Sequence, residues 1–242
     1  NDCINKLPYQ FDNQTFMNKI LAFIPARGGS KGIPNKNIKL FNGKPLIEWT
    51  IDSALKSKLI SKVIVSSDSQ KILSISKKLG AEIVLRPKSI SGDFATTESA
   101  IKHYIKNTKE SFDTIVLLSP SSPIRKMSDI DNAIKEFKSK KLDSCFSASI
   151  LLDFLIWKLN KKKKYESINY NFQNRGIRQK RDLNYVENGS IYVFKTKLIK
   201  YYNNRIAGKI GIYLMNFWQS FEIDVKDDWK LLETIQKIYI KK

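Results

Sequence analysis

From Ile20 to Asn37 the chain reads Ile-Leu-Ala-Phe-Ile-Pro-Ala-Arg-Gly-Gly-Ser-Lys-Gly-Ile-Pro-Asn-Lys-Asn, an apolar run opening directly into three glycines, one arginine and two lysines. The apolar run suits a buried strand. A glycine-rich basic loop at the end of such a strand lets backbone N–H groups and cations surround phosphate oxygens. Glycines supply positive φ and close backbone approach, Lys31 and Lys36 supply point charges, and Arg27 offers a fork of donors. The spacing is not that of a Walker A loop, because Gly32 rather than Ser or Thr follows Lys31, and G-x-G-x-x-G is absent. The plainer alternative is a flexible basic surface loop. Its place straight after a buried strand argues against that.

From Lys19 onward, short β-rich apolar runs alternate with longer helix-like segments. Predicted strands are Ile20–Pro25, Lys62–Ser67, Glu82–Leu85, Thr114–Leu118, Ser144–Ala148 and Ser190–Phe194. Predicted helices are Leu46–Lys58, Ser69–Leu79, Thr96–Lys109, Ser128–Ser139 and Lys226–Tyr239. The alternation predicts an α/β fold, a doubly wound and mostly parallel sheet covered on both faces, with ligand outside the carboxyl ends of the strands. The pattern breaks at 150–187, where aromatic and polar residues alternate on either side of Lys161–Lys164. This predicts a small β-rich arm leaving the main sheet and packing on a second copy. Residues 1–17 are polar and aperiodic and read as an extension outside the fold, leaving 18–242 as one domain.

Composition excludes several classes. With 42% hydrophobic residues the chain is globular, and no apolar run approaches a bilayer span. No signal segment opens the chain, so the expected location is cytoplasmic. The formal charge of +20 raises a nucleic-acid reading. However, Lys71, Lys77, Lys78, Lys135, Lys138, Lys140 and Lys141 fall at polar helix positions, which predicts a solvated surface instead. Cys3 and Cys145 show no metal-ligand spacing and read as free thiols. His103 is the sole histidine, so neither a histidine zinc site nor a Ser-His-Asp triad can be built. Carboxylates, lysines, arginines and a metal ion remain for any chemistry.

Further pieces fall where an α/β sheet presents ligands: Ser67-Asp68-Ser69, Arg86-Pro87 leading into Gly92-Asp93-Phe94-Ala95-Thr96-Thr97, Ser119-Pro120-Ser121-Ser122-Pro123-Ile124-Arg125 and Asn188-Gly189-Ser190-Ile191-Tyr192. Asp68 could alternatively cap the helix after it, and Arg125 could pair with a nearby acid. Glu222 and Asp224 stand at alternate positions of an extended segment and so share one face. Two carboxylates beside a triphosphate loop suit a magnesium ion bridging protein and phosphate oxygens.

Taken in order, these motifs resemble those of the CMP-nonulosonate synthetases, the cytidylyltransferases that activate sialic acid and its relatives, with CMP-Kdo synthetases as more distant kin. The resemblance runs from about Lys19 to the C-terminus. It implies a Rossmann-like nucleotidyltransferase fold and transfer of CMP from CTP to the anomeric hydroxyl of an acidic nine-carbon sugar, releasing pyrophosphate. By resemblance, Ala26, Arg27, Ser30, Lys31, Lys36, Asn37, Arg86 and Thr97 bind the nucleotide. Ser119, Arg178, Gln179, Tyr185 and Asn188 meet the sugar. Glu222 and Asp224 hold Mg2+ or Mn2+, and Arg27, Lys36 and Asp224 form the catalytic set. The arm would make a homodimer, or a tetramer built from two dimers, with neither nucleic acid nor membrane as partner. Relatives acting on sialic acid commonly carry glutamine where this chain has Ser119, which leaves the identity of the sugar open.

Overall fold

Ile20, Ala22 and Ile24 point into one apolar cluster while Leu21 and Phe23 point into another, so the first strand is buried on both faces. This alternation forces helices onto both sides of the sheet. The structure is a computed structural model that describes residues 19–151 and 154–239. The expected N-terminal extension, with Cys3, lies outside those residues.

In chain order the elements are β1 (Ile20–Pro25), β2 (Leu40–Phe41), β3 (Lys44–Pro45), α1 (Leu46–Leu55), β4 (Lys62–Ser67), α2 (Gln70–Lys78), β5 (Glu82–Leu85) and α3 (Thr97–Asn107). They continue as β6 (Thr114–Leu118), α4 (Met127–Ser139), β7 (Ser144–Leu151), β8 (Trp157–Leu159), β9 (Tyr165–Ser167), β10 (Asn184–Lys195), α5 (Thr196–Tyr202), β11 (Ile210–Leu214) and α6 (Lys226–Tyr239). The main sheet has seven strands in the order β11-β7-β10-β6-β1-β4-β5. Strand β10 runs antiparallel to β6 and β7, and the remaining pairs are parallel. The expected α/β class is therefore the observed one.

Helices α1, α2 and α4 supply Ile47, Ile51, Ile72, Ile130, Ile134 and Phe137 to one face. Helices α3 and α5 supply Ala100, Ile101, Tyr104, Leu198 and Ile199 to the other. A third cluster joins Ile33 of the glycine loop to Phe41, Leu46, Ile124, Ile223, Trp229 and Leu232. It fastens α6 and the segment before it against the loop, which later positions the site.

Three expectations need correction. Ile150 and Leu151 continue β7, and Asn184–Glu187 pair with it from β10, so the arm is shorter than 150–187. Its strands β8 and β9 form a separate hairpin, with Lys161–Lys164 exposed at the turn. Arg125 pairs with no carboxylate among the described residues: its buried guanidinium donates to Ser190 O, Ser190 Oγ, Thr50 Oγ1 and Ser119 O. Finally, Gly28, Gly29 and Gly32 are not among the glycines with positive φ; Gly28 and Gly32 serve close approach, to Ser69 and to Asp224, whereas a Cβ at Gly29 would meet nothing within 4 Å. The helix lysines named above are exposed, and no helix among the described residues is long and apolar enough to cross a membrane.

Candidate active site

A cavity of about 600 Å3 opens at the carboxyl ends of β1 and β6. Arg27, Ser30, Lys31 and Lys36 line it from the glycine loop, and Arg86, Asp93, Ala95 and Thr97 from the β5–α3 connection. Glu222 and Asp224 face them from the segment before α6. Ser119, Ser121, Gly189, Tyr192 and Arg205 close the remaining side.

The loop is held through its own backbone groups as well as by side chains at its far end. Ala26 N donates to Ser66 O at 2.9 Å, and Gly28 N donates to Asp68 Oδ1 at 2.9 Å. Asp68 thus ties β4 to the loop, while Ser69 occupies the cap position of α2. Asn37, almost fully buried, donates from Nδ2 to Arg27 O at 3.0 Å. At Gly32 an added Cβ would lie 2.0 Å from Asp224 O, so only glycine lets the loop meet the acidic segment here.

That contact explains how two carboxylates arrive opposite the cations. Ile223 is fully buried, and Ile223 N donates to Ser121 O at 2.9 Å, so its neighbours Glu222 and Asp224 are turned the other way. Lys36 Nζ reaches Ser121 Oγ at 2.8 Å, Ile223 O at 2.6 Å and Asp224 Oδ1 at 3.2 Å. Ser122 Oγ donates to Glu222 Oε1 at 2.9 Å. Burial pushes the Glu222 carboxyl above the usual range, opposed by the Ser122 bond and assisted by nearby Asp224. Gly189 has φ +64 at the β10 bulge, and a Cβ there would lie 2.5 Å from Glu222 Oε1.

Arg86 is 6% exposed, yet its Nε and Nη2 have no hydrogen-bond partner among the described residues. Burial lowers its pKa, opposed by the charge of Asp68. Such donors are costly unless a ligand completes them. Glu222 and Asp224 are hard oxygen donors, and no group of three metal-holding residues occurs among the described residues. A pair of carboxylates fits a magnesium ion whose other ligands are phosphate oxygens and water.

The structure brings Arg27, Ser30, Lys31, Lys36, Asn37, Arg86, Thr97, Ser119, Glu222 and Asp224 to the cavity. Ala26, Gln179, Tyr185 and Asn188 are not among its lining residues. Ala26 is buried behind the loop. Asn188 is 2% exposed beneath the floor, where its Oδ1 accepts from Ser147 Oγ at 2.5 Å, and Gly189 takes the lining position. Tyr185 is exposed on β10 and Gln179 in a short 3-10 helix, and neither lines the cavity; the side chain of Arg178 is outside what the structure describes. Asp93, Ser121 and Tyr192 fall within the ligand-presenting segments read from the sequence but were given no role of their own, and Arg205 was missed altogether. Arg205 Nη1 lies 2.6 Å from Glu98 Oε1, and the guanidinium stacks 4.5 Å from the Tyr192 ring centroid.

A glycine-loop cavity at the carboxyl edge of a mostly parallel sheet, with facing cations and acids, defines a nucleotide-handling α/β protein. The model of the cytidylyltransferase family matches residues 21–242, and the chain belongs to that family. It is 30% identical over 232 residues to an N-acylneuraminate cytidylyltransferase of Escherichia coli O18:K1:H7, a match covering 90% of this chain and 52% of that protein. It is 32% identical over 229 residues to a CMP-N,N'-diacetyllegionaminic acid synthase of Legionella pneumophila, covering 91% of this chain and 97% of the relative. The chain thus spans about half the length of the first and nearly all of the second. Its fold matches a CMP:2-keto-3-deoxy-manno-octonic acid synthetase solved with CTP, at TM-score 0.70 and 15% identity, covering 92% of this chain and 100% of that one.

Proposed function

We propose that the protein transfers CMP from CTP to the anomeric hydroxyl of a nonulosonic sugar acid of the sialic or legionaminic type, releasing pyrophosphate. The observation that supports this best is the facing pair across one cavity: Arg27, Lys31 and Arg86, whose buried Nε and Nη2 lack partners among the described residues, on one side, Glu222 and Asp224 on the other. Arg27 and Lys31 hold phosphate oxygens, and Arg86 with Asn37 and Thr97 holds the nucleoside. Glu222 and Asp224 would hold the magnesium or manganese ion, which when bound supplies positive charge opposite the triphosphate. Lys36 fixes Asp224 against the loop, so the acids meet the phosphates in one geometry. The sugar enters on the side of Ser119, Tyr192 and Arg205. Its hydroxyl oxygen bonds the α-phosphorus and gives up its proton to water, and pyrophosphate leaves with the electron pair of the broken P–O bond. Such chemistry asks the protein chiefly for alignment and for charge opposite the developing oxyanions.

The β8–β9 arm joins two copies into a dimer, and the enzyme works in the cytoplasm. The test is pyrophosphate release from each of the four nucleoside triphosphates with N-acetylneuraminate, legionaminate, pseudaminate and Kdo. Turnover with CTP and a nine-carbon acid is expected. Turnover with GTP, or with Kdo alone, would replace the proposed substrates.

A further inference from the structure

Asp93 occupies the place where phosphate oxygens are expected. Its Oδ1 lies 3.0 Å from Arg27 Nη1 and its Oδ2 lies 2.8 Å from Lys31 Nζ, so one carboxylate spans two of the glycine loop's three cations, the third, Lys36, being turned to Asp224. Asp93 itself lines the cavity. It belongs to the stretch from Gly92 to Ala95, where a Cβ at Gly92 would meet nothing within 4 Å and Phe94 is wholly exposed. Ala95 N bonds back to Gly92 O at 3.1 Å, so the stretch is a local turn that packs on little else. Arg86 and Thr97 flank it in the chain, so the turn sits between the two sides of the nucleotide site.

We infer that Asp93 is a built-in stand-in for phosphate, pairing with Arg27 and Lys31 in the nucleotide-free protein and yielding them when a di- or triphosphate arrives. A carboxylate and a phosphate oxygen compete for the same donors with the same charge sign, so both cannot be satisfied at full strength. The pairing keeps two neighbouring cations from repelling one another while the site is empty. It also lowers affinity for every polyphosphate, pyrophosphate included, which favours release of the inorganic product. This inference rests on the phosphate-cradle reading of the loop given above.

The test uses the full chain with a chelator present, so that no metal-holding role of Asp93 contributes. Binding of inorganic pyrophosphate, CTP and cytidine is measured by calorimetry for the wild type, Asp93→Asn and Asp93→Ser. Both variants are expected to bind pyrophosphate and CTP about three- to thirty-fold more tightly, the range set by two solvent-exposed ion pairs, with cytidine unchanged. The gain is expected to shrink as salt rises. Equal or weaker pyrophosphate binding by both variants would overturn the stand-in role, and so would a cytidine affinity that moves in parallel. A wild type that binds neither CTP nor pyrophosphate would overturn the cradle reading as well.

Discussion

Lys36 Nζ lies 2.6 Å from the main-chain oxygen of Ile223, so the basic loop grips the acidic segment through backbone as well as through charge. Its remaining partners, Ser121 Oγ and Asp224 Oδ1, use the rest of the ammonium donors. Arginine cannot place three donors on so compact a centre. Lys36→Met and Lys36→Arg are both expected to lower kcat/KM for CTP by about 10²- to 10³-fold, the usual cost of losing an aligned charge in such a site. Steady-state pyrophosphate release checks this. Arginine restoring the wild-type value would show that charge alone suffices.

Gly32 and Gly29 form a matched pair for substitution. A Cβ at Gly32 would collide with Asp224 O, whereas one at Gly29 meets nothing within 4 Å. Backbone cannot step aside as a flexible side chain can, so Gly32→Ala must part the loop from the acids. The expected loss in kcat/KM is at least 10²-fold for Gly32→Ala and far smaller for Gly29→Ala, since misplacement of reacting groups by about 1 Å has that effect. Similar losses in both variants would mean that loop flexibility, not closeness to Asp224, is what the glycines provide.

Strands β1, β4, β5 and β6 were legible because each is an uninterrupted apolar or β-branched run ended by turn residues. The glycine loop and the Glu222/Asp224 pair were legible for the same reason, since both depend on short-range spacing. Strand β11 was not, because its residues are at most half-buried and Gly211 interrupts it to let Leu142 approach. Arg205 was invisible because its meaning lies in a contact with Glu98, 107 positions away. Asp93 is a lone acid in a polar turn, and only the fold places it against Arg27 and Lys31. Asn188 was placed at the sugar by resemblance alone, and nothing in the neighbouring residues tells one that lines a bulge from one buried under it.

Glu222 gives a pH prediction with a definite sign. Burial raises its folded-state pKa, so between the unfolded and folded values the native state holds the extra proton and stability falls as pH rises. Above the folded value the whole cost of the buried charge is present. Glu222→Gln removes that cost while an amide still accepts from Ser122. The variant is therefore expected to melt higher than wild type at neutral pH, by about 2–4 °C for each kcal/mol removed. The gap should close as pH falls toward the ordinary glutamate value. Calorimetric melting from pH 4 to 8 measures it, and a gap that widens on acidification would contradict the sign.

The arm yields the prediction about assembly. Leu159 stands opposite Tyr165 across the β8–β9 hairpin, and both are exposed, at 57% and 74%. The other side of the hairpin carries Lys158 and Glu166, paired at 3.5 Å, so the ribbon has one ionic face and one apolar face. Trp157 is braced from within the arm by Tyr170 and Phe172, with ring centroids 5.8 and 5.4 Å apart. A two-stranded ribbon is marginal alone, and an uncovered apolar face on it is best buried against a second copy. Light scattering should give twice the chain mass of 28.0 kDa for the wild type. Leu159→Glu combined with Tyr165→Glu places carboxylates at the centre of that face and is expected to give monomers with an unchanged melting transition of the main sheet. A double variant that stays dimeric would place the contact between subunits elsewhere than on the arm.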